Sequence, residues 1–481
     1  MTRSQEKEDA KRIERRRMML EDPVSKVIPL VALPMVASML IDSIYNLADA
    51  YFVSSISQSA TAAVGINDSL MMFMRSISMG FAVGASSYLS RLLGAKNDKQ
   101  ASRVSITTLL TGMAFLTILS VIAYMFMTPI QRLLGATPEV LPYSRDYMQY
   151  ILLAAPFTIG EVILSQMLRS EGSSRFSMLG ALCGCGLNCI LDPIFIRTLG
   201  LEVAGAAMAT SISKVVSFCV LLLPYFRRTT VIRLHFKYFS PQWRIYKEIM
   251  RMGIPAFLRM TTMTLSAIVV NNLAGSFGTS QLASVAVSTK CARFIGAAIM
   301  GFGQGFQPVG GYCWGAKRYK RVLEAFRFAF VLGIVCATVI GVLVAVFSRQ
   351  IIGIFSTAAD ANIIDLGSFM LATQCYVLPV HLGVMLLSGF YQALGMSIGT
   401  LIIGLSRSVL CLIPTALILT FAFGEYGLGC AQAVSDILSG IMAAIMFVRI
   451  VRLIRRKMAE GEAEVPIETL PDHIIEESDY S

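Results

Sequence analysis

Asp42, Asn46 and Asp49 are spaced four and three apart within an otherwise apolar stretch, which sets all three on one face of a helix. Asn188 and Asp192 repeat the four-residue spacing in another apolar stretch. Desolvation and a neighbouring carboxylate both penalise the charged form of an acid. Acids with amides beside them can therefore change charge and hydrogen bonding by taking up one proton, and coupling to H+ requires that chemistry. Glu161, Lys214, Arg259, Lys290, Arg293, Arg407 and Asp436 also fall inside apolar runs. A charge in hydrocarbon costs several kcal/mol, so each needs a reason. The reason is either function or pairing, and Asp68 is expected to pair with Arg75.

Other chemistries are excluded by what the chain lacks. No Gly-Lys dipeptide occurs, so there is no Gly-x-x-x-x-Gly-Lys-Ser/Thr loop to cradle a nucleotide phosphate. His235, His381 and His473 have no sequence partners suited to a metal site or a nucleophilic triad. His381, two residues after Pro379, reads as a packed side chain that borders a cavity. Cys183, Cys185 and Cys189 lie among glycines, a pattern of small residues at a helix contact rather than a zinc site. The chain is not expected to be an enzyme or to hold a cofactor or metal.

The elements that carry these residues come in two copies. Met79-Gly80-Phe81-Ala82-Val83-Gly84 with Gly94-Ala95-Lys96 returns as Met300-Gly301-Phe302-Gly303-Gln304-Gly305 with Gly315-Ala316-Lys317, displaced by 221 residues. Pro34 matches Pro255, and Pro193 matches Pro414, at the same offset. Pro156 and Ser170-Glu171-Gly172 match Pro379 and Ala393-Leu394-Gly395 at 223. Repetition at half the chain length marks two copies of one unit. Pro34 and Pro255, each inside an apolar span, are expected to act as helix hinges.

Hydrophobic residues make up 55% of the 481 and charged residues 15%, and the mean hydropathy is +0.66. That is a membrane composition. About twelve stretches approach the 20 or so residues that cross a bilayer: 28–53, 60–93, 104–127, 144–168, 177–199, 204–226, 248–274, 280–313, 325–348, 364–393, 399–423 and 427–452. With the N-terminus inside, 31 of the 41 Lys and Arg fall on cytoplasmic segments. Only Arg132, Arg145, Arg197 and Arg349 fall on outer segments, the other six (Arg75, Lys214, Arg259, Lys290, Arg293 and Arg407) lie within spans, and both termini are expected in the cytoplasm. The net charge of +11 is thus a topology signal, and no nucleic-acid partner is expected.

The expected fold is an all-α integral membrane protein of 12 transmembrane helices. They form two six-helix bundles related by a pseudo-two-fold axis along the membrane normal. The segments are a cytoplasmic N-terminal tail (1–27), the first bundle (28–226), a basic cytoplasmic linker (227–247), the second bundle (248–453) and an acidic cytoplasmic tail (454–481).

Several of these phrases carry a family resemblance. Leu33-Pro34 with Asn46-Leu47-Ala48-Asp49-Ala50-Tyr51-Phe52-Val53 resembles the first helix of the multidrug and toxic compound extrusion transporters. Met79-Gly80-Phe81 through Gly94-Ala95 resembles their second. Leu168-Arg169-Ser170-Glu171-Gly172, Asn188-Cys189-Ile190-Leu191-Asp192-Pro193-Ile194-Phe195 and Val203-Ala204-Gly205-Ala206-Ala207 resemble their fourth to sixth. The resemblance spans residues 25–455. It implies a monomeric antiporter of the cell inner (plasma) membrane that expels small organic, often cationic, compounds in exchange for H+ by alternating access.

It also implies that Asp49, Asn188 and Asp192 couple the cation. Asn46, Asp42, Glu161, Lys290 and His381 stand as further cavity candidates. The acids that one subfamily carries in its seventh and tenth helices are missing, since Arg259, Met260 and Met263 follow Pro255 and Val380-His381-Leu382 follows Pro379. This favours H+ over Na+. At the repeat offset Asp49 becomes Val270 and Asp192 becomes Ile413, so the coupling acids belong to the first copy alone. Two alternatives stay open: Na+ coupling, and a flippase of lipid-linked oligosaccharides. The cations Lys214, Arg259, Lys290, Arg293 and Arg407 favour the flippase, and the acids of the first and fifth helices oppose it.

Overall fold

The computed structural model describes residues 14–54, 58–355 and 361–459, and the side chain of Asp49 lies outside the description. Residues 1–13 of the N-terminal tail and 460–481 of the acidic tail fall outside it as well.

Hydrocarbon offers no partner to a backbone amide, so a spanning segment must satisfy its hydrogen bonds internally. The apolar stretches accordingly form helices: α1 (Val24–Ser54), α2 (Gln58–Gly94), α3 (Asp98–Met125), α4 (Leu141–Ser170), α5 (Ser174–Pro193, continued by a π-helical turn Ile194–Thr198), α6 (Glu202–Phe226), α7 (Trp243–Phe277), α8 (Thr279–Gly315) and α9 (Tyr319–Val346). The tenth, α10, comprises Ala361–Tyr376 and Leu378–Ala393, bent by 53° beside Pro379. The apolar helix from Ser397 to Ala459 runs for 63 residues, too long for one crossing at about 20 residues each. Gly424, at φ 61, breaks it into α11 and α12. Among the described residues this makes twelve crossings.

The side chains are sorted as lipid requires. Phe421 is 96% exposed and Leu153 76% exposed, whereas Ser78, Ser105, Thr108, Ser217 and Ser439 are buried. Many buried hydroxyls return a hydrogen bond to their own helix, as Ser78 does to the Met74 carbonyl and Thr108 to that of Val104.

Contacts divide the chain into two compact units, and the division does not follow chain order. Among the described residues the first holds 37–254 with the segment 14–21, and the second holds 22–36 with the chain from 255 to 459. The opening of α1 therefore belongs to the second unit and the opening of α7 to the first. Pro34 lies close to one crossover and Pro255 begins the other, and both helices run unbroken through these prolines.

The duplicated phrase explains what holds those openings. Gly80 and Gly84 form a Gly-x-x-x-Gly stripe on α2, and Gly301 and Gly305 form its counterpart on α8. Small residues at this spacing let helix backbones touch. A Cβ on Gly84 would strike the carbonyl of Ile249, and one on Gly253 would lie 2.6 Å from the Gly80 carbonyl oxygen. In the second unit a Cβ on Gly301 would lie 2.6 Å from the Cα of Val36, and one on Gly305 the same distance from the Cα of Ala32.

The turns repeat just as closely. After α2 the amides of Ala95, Lys96 and Asn97 bond the carbonyls of Arg91, Leu93 and Leu92. After α8 those of Ala316, Lys317 and Arg318 bond Tyr312, Trp314 and Cys313, each 221 residues on. Lys96 and Lys317 share the left-handed conformation, at φ 59 and 58, which closes a helix end. The Glu171-Gly172-Ser173 and Leu394-Gly395-Met396 turns match in the same way at 223.

Glu171 fixes the C-terminal end of α4 to the linker. It is fully buried, and its Oε2 accepts from the amides of Val231 at 2.8 Å and Ile232 at 3.3 Å. Burial pushes its carboxyl up to about 7, outweighing the opposing pull of Arg15 and the two amides. Its folded value thus lies above its unfolded one, so its stabilising contribution is full below about 4.5 and is lost as pH climbs through about 7.

Two predictions follow from these contacts. Gly84→Ala should cost about 1–3 kcal/mol or more, because the close crossing leaves no room for a methyl group. Gly65→Ala on the same helix, with no atom within 4 Å of its Cβ position, should cost nothing measurable; thermal unfolding in detergent compares them. Raising pH from about 4.5 to 8 should lower the unfolding midpoint through loss of about 3 kcal/mol from Glu171, and Glu171→Gln should flatten that slope.

Candidate functional site

In the first unit, α5 and α6 bring together Asn188, Asp192 and Thr210. Asn188 and Asp192 are both fully buried. The four-residue spacing stacks the two side chains on one face of α5, and Pro193 with the π-helical turn ends the regular helix beside the acid. With its amide turned one way, Asn188 donates to Asp192 Oδ2 at 2.8 Å and accepts from the backbone N–H of Thr210 at 3.1 Å. Turned the other way, Asn188 Nδ2 donates to Thr210 Oγ1 at 3.3 Å and its oxygen faces the carboxyl.

A second polar cluster joins α1, α2, α4 and α6. Arg75 bonds Asp42 at 2.9 Å and Lys214 meets Glu161 at 3.0 Å. Ser217 donates to the other oxygen of Glu161. The pairs lie within one another's field, since Lys214 also acts on Asp42 and Glu161 on Arg75. Arg75 thus pairs with Asp42, not with Asp68 as expected. Asp68 is seven residues back on the same helix, about 10 Å along its axis, whereas Asp42 faces Arg75 from the adjacent α1. Asn46 is exposed and donates back to the Asp42 carbonyl.

Arg169, in the phrase before Glu171, is buried and donates to the hydroxyls of Ser177 at 2.9 Å and Ser165 at 3.0 Å. Ser170 donates to Ser86 Oγ at 2.7 Å, tying α4 to α2. This phrase is a clamp.

In the second unit Arg407, on the π-helical stretch of α11, meets Asp436 of α12 at 2.6 Å. Gln432 also donates to Asp436. His381 Nδ1 lies 3.3 Å from Arg407 Nη2; a guanidinium only donates, so Nδ1 accepts and His381 is neutral with its proton on Nε2. His381 is therefore half-buried against an arginine. Lys290 and Arg293 are exposed side chains of α8. The sequence placed all these charges inside spans and did not indicate the partners Arg75–Asp42, Lys214–Glu161 and Arg407–Asp436. Their one signal was the cost of burying either member alone.

That cost is measurable. Glu161→Ala and Lys214→Ala should each destabilise the protein, because each strands its partner, while the double variant should lose less than their sum. A coupling of about 0.5–3 kcal/mol is expected from a double-mutant cycle on thermal or denaturant unfolding.

Comparison with known proteins agrees with this architecture. The MatE family profile matches residues 34–194 and again 255–418, one match per copy, beginning at the equivalent prolines. The multidrug export protein MepA of Staphylococcus aureus (strain MRSA252) is 30% identical over 451 residues, which cover 92% of this chain and 97% of MepA. A crystal structure of MATE in complex with MaL6 superposes with a TM-score of 0.88 at 25% identity, over 92% of this chain and 99% of that one. An outward-facing multidrug resistance MATE family transporter of the MOP superfamily gives 0.83 at 26%, over 92% and 98%. With two profile matches, a full-length relative and the twelve-helix two-bundle fold, the chain belongs to the MatE family of membrane transporters and is not an enzyme.

Proposed function

We propose that the chain is a proton-coupled antiporter that exports small organic, often cationic, compounds by alternating access, with Asp49, Asn188 and Asp192 as its coupling residues. The two ways of seating the Asn188 amide carry this reading. An ionised Asp192 only accepts, so it suits the orientation in which Asn188 donates to it and takes the Thr210 amide. A protonated Asp192 has a hydrogen to give, and suits the reversed amide, whose oxygen accepts from the acid while its nitrogen turns to Thr210 Oγ1. One proton thus changes the hydrogen bonds joining α5 to α6, and the reversed amide gives up the Thr210 N–H that its oxygen otherwise accepts. A buried polar group left without its partner costs about 1–3 kcal/mol, so the two states differ by a step of that size.

Na+ asks for a shell of several oxygens, whereas a carboxyl and one amide suit a single proton. The curated relatives are named multidrug export proteins, which supports organic compounds as the cargo. The cationic cytoplasmic loops support a plasma-membrane location with both termini inside. With both copies in one chain, a monomer is a complete transporter.

Proteoliposomes loaded with a fluorescent lipophilic cation and given a pH gradient test the reading. The unmodified protein should drive export, and Asp49→Asn or Asp192→Asn should reduce it at least tenfold. Asn188→Asp, which replaces the reversible amide with a second acid, should shift the pH dependence of export. Full export by both Asp→Asn variants, or export driven by a Na+ gradient alone, would overturn proton coupling through these residues.

A further inference from the structure

The second unit contains a narrow cleft lined by Arg259 and Met263 of α7, Met385 and Ser388 of α10, and Arg407 and Ser408 of α11. Two guanidinium groups inside spanning helices are costly unless something answers their charge. Arg407 is answered by Asp436 at 2.6 Å. Arg259 is not: among the described residues no acid or other acceptor meets its guanidinium, and the charge acting on it is the repulsive one of Arg407. His381 is neutral and adds nothing to the balance. Two positive charges therefore face one negative charge, and the cleft is one anion short.

The backbone is shaped to hold Arg259 in place. Its aliphatic stem runs across Gly404, where a Cβ would lie 3.2 Å from the Arg259 Cδ. A guanidinium presents five N–H donors in a plane that matches a carboxylate two bonds at a time. Arg407 spends its Nε on Asp436 and one terminal nitrogen on His381, whereas every donor of Arg259 remains for a ligand. The methionine side chains of 263 and 385 supply an adaptable apolar wall beside that charge.

We infer that the Arg259–Arg407 cleft is a binding subsite for a single carboxylate. It takes either the acid group of a zwitterionic organic substrate or a free carboxylate. This assignment builds on the reading of the chain as an exporter of organic compounds and adds to it the acidic half of some cargoes.

Equilibrium binding to the purified full-length protein, with no gradient applied, tests the subsite separately from transport. The probes are a rhodamine with a free benzoate and the same dye as its ethyl ester. Arg259→Gln should weaken binding of the acid about tenfold, the loss of one charge-assisted carboxylate contact, and change the ester less than twofold. Arg259→Lys, which keeps the charge without the planar fork, should recover part of the acid's affinity. Benzoate alone should raise the thermal unfolding midpoint of the unmodified protein but not of Arg259→Gln.

Preference for the acid dye over its ester makes the substrate's own carboxylate the ligand. Protection by benzoate without that preference makes it a free carboxylate. If Arg259→Gln leaves both the acid dye and the benzoate effect unchanged, or weakens acid and ester equally, the subsite is wrong. Arg259-dependent binding without export in a pH gradient would sink the efflux reading and leave the subsite standing.

Discussion

A polar group in hydrocarbon has no water to fall back on, and this constraint governs the whole molecule. It makes the spanning segments helical, returns serine and threonine hydroxyls to carbonyls one turn back, and gives Asp42, Glu161 and Asp436 cationic partners within 3.0 Å. It also removes the usual means of holding helices together, because lipid tails compete equally for apolar side chains. Close backbone contact has to take over, and glycine stripes supply it. Gly80 and Gly84 against the opening of α7, and Gly301 and Gly305 against the opening of α1, are the places where that contact is closest to its limit.

The two copies have kept the mechanics and divided the chemistry. Glycine crossings, left-handed lysines at 96 and 317, and the matched hydrogen bonds of both pairs of turns survive at offsets of 221 and 223. The ionisable side chains inside the spans do not repeat. The first unit has a buried amide hydrogen-bonded to a buried acid, together with two ion pairs. The second has a neutral histidine, one ion pair and an arginine left facing a cleft. Duplication preserved what the membrane demands of any such scaffold and left each half free to specialise.

Much of this was legible in the residues. Apolar runs gave the crossings. The Met-Gly-Phe repeat gave the two copies, and the Asn188–Asp192 spacing placed both on one face where they meet. What the sequence could not carry was partner choice between helices. Arg75 had Asp68 nearby in sequence and Asp42 nearby in space, and two turns of helix rise decided between them. Arg259 read as one of several stray cations, because the glycine that seats its stem lies 145 residues downstream at Gly404. Packing across a bundle fixes such pairs, and no periodicity within one helix records it.

The exchange of helix openings between the two units bears on how such a chain can be divided. Residues 22–36 complete the second unit and the start of α7 completes the first, so a cut in the basic linker would leave each fragment without the segment that covers its glycine stripe. Neither fragment would be a finished structure. Two separate six-helix chains could satisfy those stripes only by trading segments, as the partners of a domain-swapped dimer do. The fused chain is in that sense a swapped dimer written as a single polypeptide, in which neither half is whole without the other.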